Sequence, residues 1–187
     1  MSELIELEIK FRAENVKLSD FINLMTTIGY VKKLEISSWD TYYVHSENKD
    51  EFIRFRNSDT PELTLKRKTN KNNNFKRLEI DLPLDPNRVN QEVVDAWANT
   101  EGYTSKTRIF KTCLIYWTNT VNFVYYIVYN ENLTEIGRFI EIESNKNNGL
   151  DENQSVEEIK KYEQELSKLG ISPQNRLKKS LFEMYVK

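Results

Sequence analysis

The sequence predicts an α+β fold: an antiparallel β-barrel with a polar, charged lumen and helices packed around its outside. Three observations carry this expectation. Many short segments alternate apolar and polar residues with period two, the pattern of a strand with one buried face. In most of them the polar positions hold Arg, Lys, Glu or Asp rather than a mixture of polar types. Segments of helical spacing lie between them, able to cover the apolar side. Helices outside and charges inside suit a closed or nearly closed barrel with a wet interior.

The elements follow in order. In residues 5–11, Ile5, Leu7, Ile9 and Phe11 share one face, and Glu6, Glu8 and Lys10 the other. Leu18, Phe21, Ile22, Met25 and Ile28 have helical spacing, stopped by Gly29. Residues 39–44 read as a strand. In 52–56, Ile53 and Phe55 oppose Arg54 and Arg56. In 62–68, Leu63 and Leu65 oppose Thr64 and Lys66. In 75–82, Leu78, Ile80 and Leu82 oppose Arg77, Glu79 and Asp81. Asp85-Pro86 reads as a helix cap and first-turn proline, followed by Val89, Val93, Val94 and Trp97, with Gly102 as the stop. Two longer runs, 106–117 and 123–130, read as a hairpin turning at 119–122. In the last strand, 138–143, Ile140 and Ile142 oppose Glu141 and Glu143. Ser155-x-x-Glu158 reads as the capping box of a helix carrying Val156, Ile159, Leu166 and Leu169. Ser172-Pro173 opens a final helix through Leu177, Leu181, Phe182 and Tyr185. The Asn-rich stretches 70–74 and 145–148 read as loops.

The length of 187 residues fits one domain, 1–187, with a sizeable core. Lys and Arg number 27 against 29 Asp and Glu, a balance that argues against general nucleic-acid binding. Cys113 is the single cysteine, so no internal disulfide forms. No apolar run approaches a membrane span, and the start of the chain lacks a signal-peptide pattern. A cytoplasmic location is expected, with no membrane partner. One His and one Cys argue against a thiolate–imidazole zinc site; carboxylates suit Mg²⁺ or Mn²⁺.

The charged faces carry the chemistry. Glu6, Glu8 and Lys10 are spaced roughly 6–7 Å apart by strand rise. The two carboxylates can share a hard cation and the lysine can reach a phosphate; a solvated edge strand would show the same alternation. Arg54, Arg56, Lys66, Lys68 and Arg77 add bases on further strands, and guanidinium groups grip phosphate oxygens bidentately. Such bases converging in a lumen repel one another unless an anion binds. On that reading, removing one raises the stability of the empty protein. Glu79 and Asp81 are expected to pair with the neighbouring arginines, and Glu141 to ligate metal.

These motifs, taken together, resemble the triphosphate-tunnel (CYTH) family over nearly the whole chain. Glu6-Leu7-Glu8-Ile9-Lys10 is similar to its opening signature, Asp40-Thr41-Tyr42-Tyr43 to its second strand, and Phe52-Ile53-Arg54-Phe55-Arg56 to its arginine strand. Leu63-Thr64-Leu65-Lys66, Arg77-Leu78-Glu79 and Gly137-Arg138-Phe139-Ile140-Glu141-Ile142-Glu143 follow in the family's order, and Lys179-Ser180-Leu181 stands near its closing helix. Continuation through Phe11 and Arg12 is similar to cyclase-type members without separating the activities. The resemblance implies Mg²⁺- or Mn²⁺-dependent hydrolysis of an inorganic, nucleoside or other organic triphosphate. Its alternatives are class IV adenylyl cyclase chemistry, giving cyclic AMP and pyrophosphate from ATP, and non-catalytic binding of nucleotide or polyphosphate. The partner it implies is a triphosphate-bearing small molecule such as ATP or tripolyphosphate, with nucleic acid entering only as a 5′-triphosphate RNA end.

The site implied by the same resemblance comprises Lys10, Arg54, Arg56, Lys66, Arg77, Lys106 and Arg108 toward phosphate. Glu6, Glu8, Glu131, Glu141 and Glu143 stand toward metal. Glu131 takes the place where the family usually has an aspartate. Lys106-Thr107-Arg108 matches the Lys-x-Arg pair of the sixth strand; the other register turns Lys111 and Cys113 inward, with Lys111 as the reserve base. Tyr42, Tyr43, Tyr125 and Tyr126 are candidates to stack on a base or simply to pack.

Overall fold

Eight antiparallel strands pair edge to edge until the last meets the first. The computed structural model describes residues 5–47, 51–68, 76–145 and 149–186; for 5, 6, 51, 67, 68, 76–78 and 105 it describes the backbone alone. The strands are β1 (Ile5–Arg12), β2 (Lys32–His45), β3 (Glu51–Asn57), β4 (Glu62–Lys68), β5 (Lys76–Pro83), β6 (Tyr103–Trp117), β7 (Val121–Tyr129) and β8 (Glu135–Ser144). Around the ring they run β1-β5-β4-β3-β2-β6-β7-β8, and β8 returns to β1 with Lys10 opposite Glu141. The expected α+β barrel with a charged lumen is therefore the fold observed. Among the described residues no helix is long and apolar enough to cross a membrane.

Period-two alternation assigns every side chain to the lumen or the outer wall. Leu7, Ile9 and Phe11 of β1 and Ile140 and Ile142 of β8 point outward. They form one core with Phe21, Leu24 and Met25 of α1 (Leu18–Ile28) and Ile159 of α3 (Glu152–Glu165). Tyr43, Ile53 and Phe55 form a second outer core with Val94 and Ala98 of α2 (Gln91–Thr100). The short helix α4 (Leu181–Tyr185) behaves differently. Its Leu181 and Phe182 pack on lumen-facing Tyr42, Phe52 and Phe139, so α4 seats in one end of the barrel. The Phe52 and Phe182 rings stack 4.1 Å apart.

Several element boundaries differ from the sequence-based expectation, each for a local reason. Asp85-Pro86 makes a turn, with Asp85 Oδ1 accepting from the Asn87 amide at 2.9 Å. Helix α2 begins later, capped by Asn90, whose side chain accepts from the Val93 amide. The capping box of α3 is Asp151 with Gln154, so Ser155 lies buried inside the helix instead of at its start. The expected final helix is broken. Pro173–Asn175 form a single 3₁₀ turn, and the Leu177 amide then donates to the Lys10 carbonyl at 2.8 Å, holding the chain against β1. Ser180 restarts a helix with Glu183 in a capping box. The β6–β7 turn closes at Thr118, whose Oγ1 accepts from the Val121 amide, so Asn122 belongs to the strand. The expected loop 70–74 lies outside the described residues.

Gly137 explains the glycine of the Gly-x-Phe strand. A Cβ there would stand 2.8 Å from the Phe139 ring, two residues along the same face, and 2.6 Å from Tyr185 Oη. The Tyr185 hydroxyl donates to the Ile136 carbonyl at 2.9 Å, and Phe139 is fully buried, so neither neighbour moves aside cheaply. Gly137→Ala is expected to cost about 1–3 kcal/mol by overpacking. In a chain of this size that lowers the melting temperature by roughly 3–10 °C. An unchanged thermal melt would show that the aromatic lid over this glycine is loosely held.

Candidate functional site

The lumen holds a cavity of about 260 Å³. Its bases come from four strands: Lys10 of β1, Arg54 and Arg56 of β3, Lys66 of β4 and Lys111 of β6. Its acids are Glu8, Glu62, Glu79, Asp81, Glu141 and Glu143, with Asp40 fully buried behind the cavity surface. Each base meets a carboxylate. Lys66 Nζ lies 2.7 Å from Glu79, Lys10 Nζ 2.6 Å from Glu141, and Arg54 Nη2 3.3 Å from Glu62. Asp40 sits between two bases, accepting from Arg56 Nε at 3.1 Å and lying 2.6 Å from Lys111 Nζ. Glu79 is thus paired as expected, but with Lys66 in place of an arginine. The expected like-charge repulsion is felt, Arg56 opposing Arg54 and both opposing Lys111, but the acids outnumber the bases among the described lumen side chains and offset it. Loss of a base strands a buried carboxylate and costs stability instead of raising it.

Asp40 is fully buried. Burial alone would raise its carboxyl; the charges of Arg56, Lys111 and Arg54, with the Arg56 hydrogen bond, outweigh this and hold it well below the usual carboxylate range. Burial, assisted by Asp40, pushes the Tyr42 phenol up to about 12. Burial also pushes the Cys113 thiol up, against the pull of Lys111 and Arg56.

On the seam between β1 and β8, Glu8 faces Glu143 and Lys10 faces Glu141. The carboxylate oxygens of Glu8, Glu141 and Glu143 come within 4.8 Å of one another. An all-oxygen set at this spacing fits a hard divalent cation. The Lys10 ammonium lies against this cluster, 3.9 Å from Glu8. Tyr126 donates to Glu141 Oε1 at 2.9 Å, and burial with the Glu141 charge raises its phenol well above the ordinary value, keeping that proton in place. The side chains of Glu6 and Arg77 lie outside the described residues; their backbones pair across β1 and β5.

Three expected site residues are elsewhere. Strand β6 runs opposite β2 in one register from Ser105 to Trp117, and the shift falls at Val44/His45. No bulge separates residue 108 from 111, so Arg108 and Lys111 must face opposite ways. Lys111 faces the lumen. Lys106 faces outward, with Nζ 2.7 Å from Asp95 of α2, and the Arg108 guanidinium lies outside over the Trp39 ring at 4.7 Å. Leu114 and Tyr116 held the missed signal: both are buried in the outer core beneath α1, which fixes the parity of the strand. Glu131 is exposed in the β7–β8 connection. Glu141 pairs with Val124, five residues from the end of β7, roughly 17 Å away by strand rise. The lumen position opposite Glu143 belongs to Asn122, whose buried Oδ1 has no hydrogen-bond partner among the described residues. Asn122 and the bridging role of Asp40 were both missed from the sequence.

No family model and no curated protein matches the chain. Solved structures do. The PH1012 protein of Pyrococcus horikoshii is 20% identical, with 95% of this chain and 98% of that one aligned at a TM-score of 0.72. A Vibrio parahaemolyticus protein proposed to be an adenylate cyclase is 12% identical over 98% of both chains, at 0.67. The RNA triphosphatase domain of a mimivirus mRNA capping enzyme is 13% identical over 89% of this chain and 90% of that one, at 0.54. A chain of the Schizosaccharomyces pombe Mediator head module is 11% identical over 88% and 95%, at 0.62. The chain therefore has the triphosphate-tunnel (CYTH) fold, and these likenesses, at such identities, are likenesses of fold.

The Asp40 bridge has a measurable pH signature. A carboxyl whose folded pKa lies below its unfolded value of about 3.9 adds stability at neutral pH, and that contribution is lost as pH falls below about 4. Asp40→Asn leaves Arg56 and Lys111 without their shared counter-charge and is expected to cost about 3–5 kcal/mol at pH 7. The gap to wild type should narrow at pH 3. Denaturant unfolding at the two pH values checks this; a constant gap would mean that the Asp40 charge is not the source.

Proposed function

We propose that the protein is a divalent-metal-dependent hydrolase acting on a triphosphate inside the barrel. The observation that carries the reading is the single cavity in which five bases stand beside the Glu8, Glu141 and Glu143 carboxylates. Lys10, Arg54, Arg56, Lys66 and Lys111 hold the phosphate oxygens and offset their charge in ground and transition states. Glu8, Glu141 and Glu143 hold Mg²⁺ or Mn²⁺. Such an ion, when bound, neutralises phosphate charge and lowers the pKa of water. Arg77 and Glu6 keep the phosphate and metal roles read from sequence.

The internal ion pairs make binding an exchange. As phosphate oxygens take the ammonium and guanidinium groups, the carboxylates lose their counter-charges and turn to the cation. With a metal held by Glu141, Lys10, now paired with it, would be free to reach phosphate. Anion and cation entering together bring less net charge into the lumen than the triphosphate alone, which limits the desolvation cost.

The likeness to an RNA triphosphatase domain supports hydrolysis, and the likeness to a proposed adenylate cyclase supports cyclisation as the second reading. In that case the ribose 3′-hydroxyl attacks in place of water. Binding of nucleotide or polyphosphate without turnover is the third reading. Incubation with tripolyphosphate, ATP, thiamine triphosphate or 5′-triphosphorylated RNA, each with Mg²⁺ or Mn²⁺, separates them. Phosphate release is expected; cyclic AMP with pyrophosphate marks the cyclase, and tight binding without product marks the binding module.

Two sets of variants test the site. Glu8→Gln and Glu141→Gln should each lower turnover about 100-fold or more with the fold retained, since removing a single electrostatic contact to the transition state has effects of this order. Full activity at saturating metal would remove both residues from the metal site. By calorimetry, Lys111→Ala should weaken tripolyphosphate binding about tenfold or more, the scale of a charged hydrogen bond. Arg108→Ala should change it less than about twofold. The reverse pattern would overturn the lumen assignment on β6.

A further inference from the structure

Closure gives every strand two neighbours, but it does not give every residue two. Strand β2 pairs with β6 along its whole length, from Lys32 opposite Trp117 to His45 opposite Tyr103. On its other side β3 pairs with it only from Trp39 to Val44. Among the described residues nothing pairs with that side of residues 32–38. The overhang of β2 past β3 is thus a short open edge. It is also well exposed: Val31 and Leu34 face solvent, and so do Lys33 and Glu35, which share a face with Nζ 2.9 Å from the carboxylate.

An open edge is a template for a further strand, and edges that must stay single carry proline or repelling charges. Residues 32–38 contain no proline, and Lys33 and Glu35 stand on either side of Leu34 with opposite signs. Two copies related by a two-fold axis perpendicular to the sheet pair antiparallel, with one residue opposite itself, because facing residues point to the same side of the sheet. Centring on Lys33 or on Glu35 sets like charges face to face. Centring on Ile36 makes no ion pair and brings the partner's Lys33 against Trp39, where β3 already sits. Centring on Leu34 sets each Lys33 opposite the partner's Glu35 and Leu34 opposite the partner's Leu34. That ladder extends over 30–38 and stops where β3 begins. Directly facing opposite charges favour a strand pairing and like charges oppose it, so the charge pattern selects this register.

We propose that the open edge of β2 at 32–38 is a docking surface for a second copy of this chain, the two edges pairing antiparallel about Leu34 into one continuous sheet. The axis lies beyond the end of β3, so the two barrels extend from the junction in opposite directions. Main-chain hydrogen bonds hold the copies together, and the two Lys33–Glu35 pairs fix which residues meet.

The test is sedimentation over a range of protein concentrations. Wild type is expected to form a concentration-dependent dimer. Lys33→Glu and Glu35→Lys each turn both facing pairs into like charges and should weaken the dimer about tenfold or more. An equimolar mixture of these two variants should recover the dimer, since each supplies the charge the other lacks, and the double variant Lys33→Glu with Glu35→Lys should dimerise as wild type does. Thermal melts check that each variant is folded; should one melt early, Leu34→Lys takes its place, setting two ammonium groups opposite each other with the same weakening expected. A wild type that stays monomeric at every concentration would overturn the inference. So would a dimer indifferent to the single variants, or a mixture and a double variant that both fail to restore it.

Discussion

Cross-strand neutralisation of charge is the constraint on which the interior depends. A ring of strands with charged residues on its inner face is untenable unless each charge finds an opposite one nearby. Asp40 of β2 ties together Arg56 of β3 and Lys111 of β6; Lys66 and Glu79 tie β4 to β5; Lys10 and Glu141 tie β8 to β1. The pairs that make the lumen bearable are therefore also staples between neighbouring strands. Buried ion pairs of this sort seldom out-perform apolar packing as a source of stability. Their presence in the lumen, while three apolar cores are built outside it and at its end, is what sets this interior apart from an ordinary barrel core.

Closure supplies the second constraint. Joining β8 to β1 removes the free edges of the sheet and fixes which face of every strand is inside. Helices α1, α2 and α3 then bury the outer face, so an apolar residue beneath a helix dictates that its sequence neighbours point to the lumen. Gly137 shows how tightly the two faces are coupled: the space a side chain would fill is taken by the Phe139 ring, itself part of the core that α4 completes.

This logic explains what was legible in the sequence. Period-two alternation exposed the strands and the inward faces of β1, β3, β4 and β8, because in each of them outward apolar residues alternate with inward charged ones over part of the strand. Lys10, Arg54, Arg56, Lys66, Glu8, Glu141 and Glu143 followed directly, and all line the cavity. Strand β6 misled because charged residues occur on both of its faces, and Lys106 is satisfied outside by Asp95, a carboxylate from a helix distant in sequence. Asn122 was read as turn material since asparagine favours turns, and only the Thr118 hydrogen bonds show that the turn ends before it. Helix starts were displaced where two capping residues competed, as Asp85 with Asn90 and Asp151 with Ser155, and local contacts decided between them.

The carboxylate cluster straddles the seam where the chain's first strand meets its last. Glu8 and Glu143 are separated by most of the sequence, so their meeting is among the most non-local events in folding and carries a large loop-closure entropy. A folding intermediate with an open ring would possess the arginine strand and the Asp40 bridge but no assembled acid cluster. Any cation that prefers the cluster to scattered carboxylates binds the closed ring alone, and by mass action it biases the chain toward closure.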